Sequence, residues 1–226
     1  MLQTQYFATF PAGCYEIIAK NLKSFKLEEL KIIEHDESSV TFNSSFSQER
    51  LIELRFFTNI YLVIQDLAQL NKSDLKGDYF RLIMLSGGEP KALDASERTK
   101  IEADISAKLN LKANTHLSLN DFYLIERAKG AKFLGLRLSR AKFKREKLPA
   151  GELRPELAHI LCLAGGIKAK DTILDVFAGY GSIPFEAVRG FGCKQVIAVD
   201  SQILPKRHEH ATIKWHKGNA RNLDFI

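Results

Sequence analysis

The residues with the most capacity for chemistry lie in one run, Asp175-Val176-Phe177-Ala178-Gly179-Tyr180-Gly181-Ser182. A short apolar stretch, Thr172–Phe177, reads as a buried strand of a parallel sheet covered on both faces. It enters a Gly-x-Gly turn and passes directly into a helical pattern, Ser182–Arg189. Glycines let the backbone turn tightly and let a ligand approach without Cβ clashes. The helix start offers unpaired N–H groups, with Ser182 expected as its N-cap. Two kinds of ligand use such a turn. A dinucleotide needs a third glycine, G-x-G-x-x-G, so that its pyrophosphate can sit on the helix. Here that place is Pro184, and the Asp175 carboxylate would repel a phosphate. S-adenosylmethionine carries no pyrophosphate and needs only the tight turn. Asp200 closes the next strand, Gln195–Val199, 21 residues after Gly179. An acidic residue about 20 positions on takes ribose hydroxyls in nucleoside-binding α/β folds. A nucleoside-type cofactor is therefore expected. The alternatives are a glycine turn that binds nothing and a nicotinamide-dependent enzyme, the latter opposed by Pro184.

Other constellations carry less. In His208-Glu209-His210, two histidines two residues apart point to opposite faces of a helix; no third ligand is evident, so no metal is expected. There is no Gly-x-Ser-x-Gly elbow for a hydrolase. The three cysteines, Cys14, Cys162 and Cys193, are odd in number and far apart, which excludes a disulfide framework and a CxxC metal knuckle. Cys14 and Cys162 fall on apolar helix faces and are expected to be buried; Cys193, between Gly192 and Lys194, is expected to be more exposed. Trp215 is expected to fill core.

The chain has 226 residues, 45% hydrophobic and 27% charged, enough apolar material for a core and too much for a disordered chain. No run of about 18 uncharged apolar residues suggests a membrane span. The opening MLQTQYFATF shows no basic and then apolar signal pattern. A cytoplasmic protein, monomeric and without a membrane or metal partner, is expected. The net charge of +6 is concentrated: residues 126–147 hold nine Lys/Arg against two Glu, a local +7. Such a stretch is the footprint of a polyanion-binding surface or simply a solvated face.

The elements that must position these residues change in character near Pro149. Before it, Tyr6–Phe10, Glu29–His35, Val40–Phe42 and Ile60–Gln65 read as strands, with helices over Cys14–Leu22 and Gln48–Phe56. This β-α-β-β-α-β order is the ferredoxin-like arrangement. A second unit follows: strands Tyr79–Leu85, Phe122–Ile125 and Phe133–Leu138, and a helix Ser96–Leu109 with Ile101, Ile105 and Leu109 at helical spacing. From Gly151 the pattern becomes helix (Pro155–Ala164), strand, helix, strand, then a helix over Ile203–Ile213 despite Pro205, and a strand over Lys214–His216. The expected fold class is α+β for two N-terminal units, 1–70 and 71–148, followed by an incomplete α/β Rossmann-like unit, 149–226. A βαβ unit takes about 30 residues or more, so 149–226 has room for only two or three strands, with an unpaired edge and strand faces lacking helix cover.

On these residues the chain resembles THUMP-domain RNA methyltransferases of the guanine-N2 type. YFATFPAGCYEIIAKNL (Tyr6–Leu22) is similar to the start of their ferredoxin-like domain, and Tyr79–Arg140 to the THUMP domain. Pro149–Pro155 is similar to the segment leading into the methyltransferase domain. DVFAGYGSIPFEA (Asp175–Ala187) is similar to the cofactor motif Asp-Pro-x-x-Gly-x-Gly-Thr-x-x-x-Glu-Ala. The resemblance implies S-adenosyl-L-methionine as cofactor, with Asp175, Gly179 and Gly181 near its methionine side, Asp200 on the ribose, Asn219 near the adenine and Phe177 also among the cofactor-binding residues. It implies a structured RNA partner, a tRNA acceptor stem or ribosomal RNA. That RNA would be gripped with the help of Arg127, Lys132, Arg137, Arg140, Lys142, Lys144 and Arg145. There are departures. Val176 replaces the usual Pro and Tyr180 the usual Ser, neither at a glycine. The family's catalytic Asn/Asp-Pro-Pro-aromatic motif does not occur: of six prolines, no two are adjacent. The resemblance is thus to the N-terminal portion of such an enzyme, and no catalytic residue is assigned. The alternative is a non-catalytic RNA-binding module with a vestigial methyltransferase part.

Overall fold

The computed structural model describes residues 4–26, 28–70, 72–127, 131–139 and 148–223. The first strand, β1 (Thr4–Thr9), alternates: Tyr6 and Ala8 enter one core while Phe7 joins a second cluster with Tyr61, Tyr123 and Ile125. Period-2 side-chain placement makes a strand serve both faces of a sheet in this way. There follow α1 (Tyr15–Leu22), β2 (Leu30–His35), β3 (Ser39–Ser44), α2 (Gln48–Ile52) and β4 (Asn59–Ile64). The expected β-α-β-β-α-β order is present, with all neighbours antiparallel in the order β2-β3-β1-β4. The helix expected over Gln48–Phe56 is only five residues. Ser47 caps it through Arg50 N–H at 3.3 Å, and Leu54 N–H turns back to Leu51 O, ending it.

The chain continues through β5 (Tyr79–Ser86), β6 (Glu89–Lys91), α3 (Ala95–Leu109), β7 (Lys112–Ala113), β8 (Asn120–Glu126) and β9 (Lys132–Arg137). β9 pairs antiparallel with both β8 and β4, so among the described residues one nine-stranded sheet runs through both expected units. Its main core contains Phe42, Phe57, Phe80, Phe122, Ile18 and Ile105, all fully buried.

The third part comprises α4 (Pro155–Ala164), β10 (Thr172–Asp175), α5 (Ser182–Phe191), β11 (Gln195–Asp200) and β12 (Ile213–Lys217), the strands forming a parallel sheet in the order β10-β11-β12. α4 begins with Pro155 in its first turn, where the missing N–H costs nothing. It serves both sheets. Ile160 belongs to the main core, and burying such a side chain stabilises by about 2 kcal/mol. Cys162, on the side toward α5, has Sγ 3.9 Å from Ile183 O, and burial pushes its thiol up to about 12.

Three expectations fail here. Residues 203–212 are turns rather than a helix. Pro205 interrupts the pattern, and His208 N–H donates to Tyr180 O at 2.7 Å instead of to a carbonyl one helical turn back. β10 stops at Asp175, short of Phe177; Leu174 is 44% exposed, so the strand is open on one face, as the short parallel sheet leads one to expect, rather than covered on both. Cys193 is buried and Cys14 half-buried, the reverse of expectation.

Candidate functional site

The three parallel strands end together, and the candidate cofactor residues sit at those ends. Asp175 is in register with Ala198, and Asp200 with Lys217. Ligands of open α/β sheets bind at the carboxyl ends of the strands. The loop after β10 folds onto the end of β11: Ala178 N–H donates to Val199 O at 3.0 Å, and Gly179 N–H to Asp200 Oδ2 at 2.8 Å. Gly181 N–H closes the turn on Ala178 O. Gly218 N–H donates to the Asp200 carbonyl at 3.0 Å, which brings Asn219 to the same edge. There Asn219 is exposed and its Oδ1 accepts from Arg221 N–H.

Both loop glycines are left-handed, φ +52° at Gly179 and +83° at Gly181, a region that L side chains seldom adopt. They differ in surroundings. A Cβ on Gly179 would meet nothing within 4 Å, whereas one on Gly181 would stand 2.7 Å from the Trp215 ring. Gly179 therefore faces open space, and Gly181 rests on Trp215, which has this packing role. Gly181, not Ser182, is the N-cap of α5. The left-handed turn makes Ser182 the first helical residue, and no side chain caps the helix.

The two carboxylates differ. Asp200 accepts from Gln202 N–H (3.0 Å) and Gly179 N–H, with Ser201 Oγ at 3.4 Å. These bonds, Gln202 N–H foremost, hold its carboxyl below the usual value. A carboxylate offers about four acceptor positions, so capacity for a hydroxyl remains. Asp175 accepts from Phe177 N–H at 3.0 Å. Burial raises its carboxyl, and the nearby Asp200 charge adds to this. An edge with open room before Gly179, one firmly ionised acceptor and one under-compensated carboxylate suits a cationic nucleoside and opposes a pyrophosphate. The residues present thus fit S-adenosylmethionine, whose sulfonium and ammonium are positive. Phe177 is 79% exposed at the same edge.

The described basic candidates, Arg127, Lys132 and Arg137, belong to the part of the chain that forms the other sheet. Arg127 is 8% exposed, paired with Glu34 at 2.7 Å and Asp36 at 3.3 Å. Arg137 and Arg81 share the buried Asp121. Lys132 stands 3.8 Å from Glu97 and from Glu126. Arg140, Lys142, Lys144 and Arg145 lie outside the described residues. Among the described residues no group of three His, Cys, Asp or Glu could hold a metal. His208 instead contacts Glu152 Oε1 at 2.7 Å and stacks on Phe185. No helix among the described residues is long and apolar enough to cross a membrane.

Two features carry no signal in residue spacing. Glu152 ties the segment before α4 to the turn at His208. Glu186, within the Asp175–Ala187 run, is buried against Arg55 and His159.

No family model matches the chain, and no curated protein matches it in sequence. Solved structures do resemble it. TrmN from Thermus thermophilus is 18% identical with a TM-score of 0.73, covering 99% of this chain and 76% of that chain. A predicted N6-adenine-specific DNA methylase from Listeria monocytogenes str. 4b F2365 is 12% identical with a TM-score of 0.64, covering 96% of this chain and 75% of that one. SMU.472, a methyltransferase by assignment and complexed with SAH, is 14% identical with a TM-score of 0.52, covering 83% and 56%. At these identities the likeness is one of fold. The chain has a methyltransferase-like fold, a mixed sheet with helices joined to a Rossmann-like parallel sheet.

Proposed function

We propose that the chain is an S-adenosylmethionine-dependent RNA methyltransferase acting on guanine N2 of tRNA or ribosomal RNA. The observation that carries the reading is the Gly179–Asp200 hydrogen bond. It welds an open glycine turn to an ionised carboxylate at the strand ends. Bound there, the cofactor supplies an electrophilic methyl group on a sulfonium. The chain's own residues bind and orient. Gly179 leaves the approach clear, Asp200 accepts from the ribose hydroxyls, and Asp175 offers negative charge to the methionine end. Phe177 and Asn219 line the same edge. Positioning the two reactants is the main requirement of such a transfer, so no nucleophilic side chain is needed. The N-terminal ferredoxin-like and THUMP units, 1–70 and 71–148, would hold the RNA, with the basic stretch and its exposed Lys132 at the phosphates. A cytoplasmic monomer fits this role.

A second reading, an RNA-binding module without catalysis, is favoured by one observation: the 226 residues contain no adjacent prolines and hence no Asn/Asp-Pro-Pro-aromatic motif. One experiment separates the two. The chain is incubated with tRNA and labelled S-adenosylmethionine, and nucleosides are analysed alongside a salt series of tRNA binding. Label in N2-methylguanosine supports the enzyme. Salt-sensitive binding without label supports the module. Replacing Lys142, Lys144 and Arg145 together by Ala should lower both affinity and salt slope. Binding unaffected by that change contradicts the basic-surface assignment in either reading.

A further inference from the structure

The candidate cofactor loop is anchored from below. Glu186 lies on α5, five residues after Gly181, and its side chain is 3% exposed. Arg55, in the connection from α2 to β4, grips it with both arms: Nε to Oε1 at 2.6 Å and Nη2 to Oε2 at 2.5 Å. His159 of α4 places Nδ1 2.6 Å from the same Oε1, its ring set between Phe56 and Phe191 at 6.1 and 4.8 Å. The α2–β4 connection and α4 therefore converge on one carboxylate of α5. His159 and Arg55 hold its carboxyl below the usual value against the opposing effect of burial. The seat admits no side chain from the next turn: a Cβ on Gly190 would stand 2.2 Å from Glu186 Oε1. A glycine inside a helix weakens it, and a buried ion pair is a poorer stabiliser than apolar packing of the same volume. What such a joint supplies is direction, because a forked guanidinium–carboxylate pair accepts only one planar geometry.

α5 transmits that direction. Phe185 N–H donates to Gly181 O at 2.9 Å and Gly181 N–H to Ala178 O, so loop and helix start are one hydrogen-bonded body with Glu186. Methyl transfer depends on placing donor and acceptor to within about 1 Å. Resting on the methyltransferase reading, we propose that Glu186 is a positioning residue. Clasped by Arg55 and His159, it fixes the cofactor loop against the nine-stranded sheet, so that the sheet bearing the substrate and the edge bearing the methyl donor keep one mutual orientation.

The test is hydrogen exchange by mass spectrometry together with S-adenosylhomocysteine titration, on the parent chain, Arg55→Ala, Arg55→Lys and Glu186→Gln. In Arg55→Ala, amides of 178–185 should exchange about tenfold faster while those of 196–199 in β11 keep parent rates, since a local joint opens below the global unfolding barrier. S-adenosylhomocysteine affinity should fall about tenfold, with Arg55→Lys recovering part of it because one charge-assisted bond survives. Glu186→Gln keeps the shape and removes the charge; it should reproduce the loop effect if Arg55→Ala does not fold. A uniform rise in exchange that includes β11 would reduce the joint to general stability and overturn the proposal. Unchanged loop exchange with unchanged affinity would overturn it as well. A parent chain that binds no S-adenosylhomocysteine overturns the methyltransferase reading, and this proposal falls with it.

Discussion

Gly179 and Gly181 show how two residues of one type, two positions apart, do separate work. Both adopt left-handed φ, but only Gly181 is pressed against Trp215. Gly181→Ala adds a clash to backbone strain and should cost about 2–4 kcal/mol in chemical denaturation. Gly179→Ala meets strain alone and should cost about 1 kcal/mol, while obstructing ligand approach. Asp175 makes the matching electrostatic case. Its raised carboxyl means that ionisation at neutral pH opposes folding. Asp175→Asn should therefore stabilise the unliganded chain and weaken S-adenosylmethionine binding about tenfold. Binding by the parent should be level near neutrality. It should weaken on acidification as Asp175 gains its proton, starting at a higher pH than an ordinary aspartate would. Calorimetric titrations across that range check both statements; in Asp175→Asn the acid-dependent weakening should vanish.

At the scale of elements, legibility in the sequence followed the strength of local signals. Helices with sharp boundaries were readable: α4 from Pro155, and α3 from its Ile101–Ile105–Leu109 spacing. α3 also carries its own punctuation, Asp94 accepting from Ser96 and Glu97 N–H, and Asn110 in the left-handed conformation at its end. Asp94→Ala should cost about 1 kcal/mol. Asn110→Gly should be neutral or slightly stabilising, and Asn110→Val should cost about 1 kcal/mol, all read from urea midpoints. Stretches decided by tertiary partners were not readable. The apolar spacing of 203–213 looked helical, yet Pro205, the bond from His208 to Tyr180 and the Glu152–His208 pair hold it as turns. Ser182 looked like a cap, but the left-handed Gly181 took that place. The glycine turn and the two aspartates at the strand ends were legible because glycine and aspartate types are constrained there. The clasp at Glu186 was not, because Arg55 lies 131 residues away and no spacing rule connects them.

For the whole molecule, α4 is the hinge of the architecture. Its Ile160 belongs to the core of the nine-stranded sheet, while its Cys162 and His159 face α5 of the parallel sheet. Thr58 Oγ1 donates to Glu156 at 3.2 Å and adds a second link beside Arg55. The charge distribution expected from the sequence takes a different form in three dimensions. Arg127 and Arg137 are committed to acidic partners within the nine-stranded sheet, and Lys132 lies 3.8 Å from Glu97 and Glu126, so each basic candidate among the described residues has an acidic neighbour. The proposed function turns on what occupies the carboxyl edge of the parallel sheet. The most direct measurement is isothermal titration of the chain and of Asp200→Ala with S-adenosylhomocysteine, with NADH titrated in parallel. One site is expected on the parent chain, with a loss of about tenfold or more in Asp200→Ala from the missing acceptor, and no NADH binding. Preferential binding of NADH, or S-adenosylhomocysteine affinity indifferent to Asp200, would contradict it.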